Sequence, residues 1–165
     1  DDVEAAVTTV YNPLRNWYSA ASNGLYSWPE LSTDIMTTQW GGYWIPLSTF
    51  GWNENNADAT RIFLQYNKIS RGTLTIDRIK DVNMNEELKE RFIAEIKCIN
   101  AWLAWILYDL YRPIPIATLE ILKNPAEEII LERPTNKWMV DYIATNLLKQ
   151  QKYCQYLMKL KIGGE

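Results

Sequence analysis

Leu88, Phe92, Ile96, Ile99, Leu103, Ile106 and Leu110 recur at steps of 4, 4, 3, 4, 3 and 4 residues. That is the period of one face of an α-helix, and no half-buried strand, with its alternation of two, is compatible with it. A second stripe, Trp102, Trp105 and Tyr108, lies beside the first. The helix is therefore expected to be buried on two sides, so it must sit inside a set of other helices. Pro113 and Pro115 stop it, because proline restrains the residue before it and supplies no backbone donor. Its most apolar part, from Cys98 to Leu110, contains Asn100 and Asp109 and falls short of the roughly 20 apolar residues needed to span a bilayer.

The same period places three further helices. Val3, Ala6, Val7, Val10, Leu14, Trp17, Tyr18 and Ala21 mark a first one, with Asp1 or Asp2 as its cap, Pro13 as a kink or break, and Asn23-Gly24 as its end. A second is expected over about residues 57–80, with Ile62, Tyr66, Ile69, Thr73, Ile76 and Ile79 on one face and Gly72 weakening it locally. A fourth starts behind Thr135, an N-cap that follows Pro134, and turns Met139, Ile143 and Leu147 inward. The 165 residues are expected to form one all-α domain, with no sequence repeat and with antiparallel helix pairs.

Between the first two helices the helical period disappears. Pro29, Gly41, Gly42, Pro46 and Gly51 punctuate residues 25–56, and no charged residue stands between Ile35 and Asn53. Trp40, Tyr43, Trp44, Phe50 and Trp52 all lie there. A loop of this length in a compact domain is usually functional, and its aromatic content is foreign to disordered chains. Indole and phenol rings have an apolar face and a polar edge, which suits the C–H faces of a sugar, while Asn, Gln, Thr and Asp satisfy its hydroxyls. Asp34, Trp40, Tyr43, Trp44, Trp52 and Asn53 are the candidate ligand-binding residues on this view. Plain packing of the same rings onto the helices is the other reading. Asp34 caps a short helix or points into a site.

Composition removes several chemistries. The chain has no histidine, so it carries neither a Ser-His-Asp or Cys-His arrangement nor a histidine metal ligand. The two cysteines, Cys98 and Cys154, are too few for a disulfide scaffold and read as small buried hydrophobes. No metal or cofactor is expected. A net charge of −3 argues against nucleic acid. Glu30, Asp34, Glu54 and Asp58 offer carboxylates for glycoside hydrolysis only if two of them meet in space, which chain spacing does not establish. Lys149, Lys152, Lys159 and Lys161, interleaved with Tyr153 and Tyr156, read as a solvated helix face or a surface for an anionic partner.

Several segments together carry a family likeness. They are Val3-Glu-Ala-Ala-Val-Thr-Thr-Val-Tyr-Asn-Pro-Leu14, Glu30-Leu-Ser-Thr-Asp34, Tyr66-Asn-Lys-Ile-Ser-Arg71, the run from Arg91 to Tyr111 followed by Pro113-Ile-Pro115, and Arg133-Pro-Thr-Asn-Lys-Trp-Met-Val-Asp-Tyr-Ile143. In order and spacing these resemble the N-terminal portion of SusD/RagB-like proteins over residues 1 to about 150. The resemblance implies a non-catalytic, lipid-anchored glycan-binding protein of the outer-membrane surface in Bacteroidetes-type bacteria. Such a protein works in nutrient uptake beside a SusC-like TonB-dependent transporter. It also implies tetratricopeptide-type helix pairs that carry ligand loops, and an oligosaccharide or polysaccharide partner.

This chain departs from the pattern at three places. Family members are roughly three times as long, Arg112 stands where a glycine is usual, and after about Gln151 the family's signals give way to lysine-rich sequence. No signal peptide opens the chain, and the lipidated cysteine is expected upstream of Asp1. The alternative expectation is a helical protein–protein interaction scaffold whose aromatic loop packs on a partner and has no sugar site.

Overall fold

The structure is a computed structural model that describes residues 2–18, 27–39, 41–42, 44–53, 55, 63–124, 126 and 129–150. Among these residues every regular element is a helix. They are α1 (Asp2–Val10), α2 (Asn12–Tyr18), α3 (Ser27–Leu31), α4 (Trp44–Ser48), α5 (Tyr66–Lys80), α6 (Glu86–Tyr111), α7 (Leu119–Lys123) and α8 (Asn136–Lys149). The chain divides into two compact units, one of residues 1–10 and 66–165 and one of residues 11–65.

In the larger unit the 26-residue α6 is the axis. It begins where Asn85 Oδ1 accepts the Leu88 N–H at 3.0 Å, and Glu86 and Glu87 place negative charge at the positive end of the helix dipole. α5 runs antiparallel to it, as the Lys89 Nζ bond to the Lys80 carbonyl and the Asn100 Nδ2 bond to the Ile69 carbonyl require. α8 packs on α6 as well, and α1 and α7 complete the unit. Ile96, Ala101, Leu103, Ala104, Leu107, Ile114 and Met139 have no exposed surface and form its centre.

The stripe that set the helix is only partly inside. Ile96, Ile99, Leu103 and Ile106 are buried, but Leu88 in the first turn is 38 % exposed. The second stripe is a correction. Trp105, expected in the core, is 53 % exposed. The additional buried positions on α6 are Ala94, Glu95, Asn100, Ala101, Ala104 and Leu107, of which Glu95 is paired with Arg91 and three are alanines. Small side chains are what a close helix crossing needs, and an indole would hold the axes apart. Gly72 shows how close the approach is: a Cβ built there would lie 2.8 Å from Asn100 Nδ2, 2.9 Å from Cγ and nearer still to Oδ1. Asn100 clamps the crossing, donating to the Ile69 carbonyl at 3.2 Å while its Oδ1 packs over Gly72 without a hydrogen-bond partner.

Other boundaries also move. The first expected helix is two, separated at Tyr11, and Pro13 lies in the first turn of α2, where its missing N–H costs no bond. Of the second expected helix, α5 covers Tyr66–Lys80 and follows a turn at Leu64 and Gln65, while residues 57–62 lie outside the described residues. The fourth starts as expected, with Thr135 Oγ1 accepting the Trp138 N–H at 3.2 Å. Met139 and Ile143 are buried, but Leu147, assigned inward, is 37 % exposed. Cys98 is half-buried and in no disulfide among the described residues; Cys154 lies outside them.

Candidate functional site in the aromatic loop

The expected site falls in the smaller unit. The sequence marks its segment as irregular throughout, yet two five-residue helices, α3 and α4, form within it and pack together. Among the described side chains of the pair, Leu31 and Leu47 are buried. Helices this short escape periodicity, because five residues complete barely more than one turn.

α4 ends in a tightly determined turn. The Phe50 N–H bonds back to the Leu47 carbonyl at 3.4 Å, and the Gly51 N–H to the Pro46 carbonyl at 2.8 Å. This is the pair of bonds of a Schellman motif, which requires a left-handed residue at its corner. Phe50 holds that corner with φ +55°, although the neighbouring Gly51 would adopt the conformation without steric cost. The turn leaves Phe50 65 % exposed and Trp52 46 % exposed. Asn53 follows, exposed, with its Oδ1 accepting the Asn55 N–H at 2.9 Å, which leaves the side-chain amide as donor toward solvent.

The remaining predicted residues are placed differently. Trp44 is half-buried in the first turn of α4. Asp34 is exposed in the bend beyond the end of α3, so it caps neither helix. Next to it Thr33 makes the local bonds, donating to the Glu30 carbonyl at 2.7 Å and accepting the Ile35 N–H at 3.3 Å. Trp40 and Tyr43 lie outside the described residues. Trp52 and Asn53 thus stand as neighbours on the surface, while Trp44 is drawn toward packing. Phe50 is a further exposed aromatic of this turn that is not among the sequence candidates. The signal for it is its place directly before Gly51 within the charge-free aromatic stretch.

Among the described residues no group of three or more His, Cys, Asp or Glu side chains is placed to hold a metal ion. Nor is any described helix long and apolar enough to cross a membrane. No family model, curated protein or solved structure matches the chain.

Proposed function

We propose that the chain binds glycans without catalysing a reaction on them, as part of a surface protein of the SusD/RagB type that serves nutrient uptake. The observation that carries the reading is the turn after α4. Two large aromatic residues, Phe50 and Trp52, expose 65 % and 46 % of their surface there, the first of them on a left-handed backbone that disfavours it. Backbone strain is found more often at binding sites than elsewhere, which supports this reading. The indole face covers the C–H face of a sugar, and the Asn53 amide donates to a ring oxygen or hydroxyl. Family likeness extends the proposal to a lipid-anchored place at the outer-membrane surface beside a SusC-like TonB-dependent transporter. In the same likeness, α5 with α6 and α6 with α8 correspond to tetratricopeptide-type pairs.

Native affinity electrophoresis against a panel of soluble polysaccharides tests this. One glycan is expected to retard the chain, and Trp52→Ala is expected to weaken that binding about tenfold, the loss of one stacking contact. Equal retardation of the variant, or free migration on every gel, overturns the assignment. The competing scaffold reading is favoured by Trp105 at 53 % and Leu148 at 68 % exposure on α6 and α8. It predicts free migration on every gel together with a protein partner whose capture is lost in Trp105→Ala.

A further inference from the structure

A cleft in the larger unit plays no part in the loop reading. It encloses about 380 Å³ between α5, α6, α8 and the segment leading into α7. Cavities of small-molecule sites begin at roughly this size. Ile76, Ile116 and Leu119 give it an apolar floor. One wall is aromatic: Trp138 and Tyr142, one turn apart on α8, are stacked with ring centroids 5.4 Å apart and planes 9° apart. The tyrosine holds the indole in place, and Trp138 still exposes 46 % of its surface. A ring fixed in advance loses little side-chain freedom when it is covered.

The charge of the cleft differs from that of the chain. Three charged side chains line it, Asp77, Lys80 and Lys97. Asp77 is engaged by Lys123 at 2.6 Å. Lys80 and Lys97 have no acidic partner among the described residues. Two ammonium groups with no acidic partner among the described residues thus border an apolar, aromatic-walled hollow in a molecule whose net charge is −3.

We infer that this cleft binds a small ring-bearing molecule with a carboxylate. The ring lies against Trp138 and the apolar floor, and the carboxylate reaches the ammonium groups of Lys80 and Lys97. A neutral ring leaves both lysines without a counter-charge, and an acyclic acid leaves the indole uncovered. Uronic sugars and aryl acids both carry this chemistry, and the inference stands whether or not the loop binds glycan.

The test is a titration of the intact chain followed by amide nitrogen–proton NMR, with sodium glucuronate, sodium phenylacetate and glucose as separate probes. At least one carboxylate is expected to shift the amides of Ala117, Thr118, Tyr142 and Asn146 saturably, while glucose binds at least about tenfold more weakly, the value of a charge-assisted hydrogen bond. Tighter binding of glucuronate assigns a sugar acid, and tighter binding of phenylacetate an aryl acid. Lys97→Met keeps the side-chain stem and is expected to weaken the preferred acid five- to tenfold, as is Trp138→Ala, with dispersed spectra reporting that both variants fold. Trp52→Ala should leave the titration unchanged, which separates the cleft from the loop. Absence of saturable shifts with both acids, glucose binding as tightly as they do, or unaltered affinity in Lys80→Met/Lys97→Met overturns the inference.

Discussion

Arg112 adopts φ +66° and ψ −167°, a backbone region that is essentially reserved for glycine. It ends α6, with its N–H on the Tyr108 carbonyl at 2.9 Å, while Arg133 Nη1 donates to the Tyr111 and Pro113 carbonyls at 2.9 and 3.3 Å. The departure from a glycine noted in the sequence therefore falls on a residue whose geometry asks for one. Arg112→Gly is expected to stabilise the chain by about 1 kcal/mol or more, read as a rise of about 2–4 °C in Tm. Gly72 presents the opposite case. Its place inside a helix reads as a local weakness, yet the Asn100 side chain occupies the space a methyl group would need. Gly72→Ala is expected to destabilise by about 1–2 kcal/mol despite alanine's better helix propensity. If the clamp is the cause, Asn100→Ala in that background costs less than it does alone, which urea unfolding of the four proteins in the cycle measures.

At the scale of the element, helix existence was legible in α1, α5, α6 and α8 because their periodicity is local and long enough to count. Which face goes inside was legible only in part. Trp105 and Leu147 obey the same spacing as their buried neighbours, but the helices that pack on α6 select the small residues Ala101 and Ala104 instead. Spacing alone holds no record of where a partner helix stops. On α8 the stacking of Trp138 and Tyr142 has a consequence for alkaline stability. Burial, and secondly the nearby Tyr66, push the Tyr142 phenol above its usual pKa of 10.0. A group raised in the folded state holds its proton longer there than in the unfolded chain. Its contribution is complete below about pH 10 and is lost as the pH climbs through the folded-state value. Stability is thus expected to fall above about pH 10, and less steeply in Tyr142→Phe, as denaturation at pH 8 and pH 11 with both proteins checks.

For the whole molecule, the all-α class followed from the sequence, and the division into two units did not. α1 and α5 look like successive helices bridged by a loop, yet α1 belongs with α5 and α6, and residues 11–65 form a unit of their own. The loop candidates were a contiguous stretch, so composition drew attention to them. The cleft was invisible because its lining is gathered from positions as far apart as Thr73 and Asn146. No local pattern joins Lys97 to Trp138.

The division has a bearing on how the molecule assembles. To dock, α1 must close a loop of some 55 residues back onto α5, an entropic cost of about 3.5 kcal/mol for a flexible connection. Val7 and Val10 are the two buried residues with which this nine-residue helix repays it. With only these two side chains holding it, α1 is expected to open before α5 and α6 do, as faster amide hydrogen exchange in α1 than in α5 and α6 would register. Opening it bares the neighbouring surfaces of α5 and α6 while the α5–α6 clamp at Gly72 stays shut.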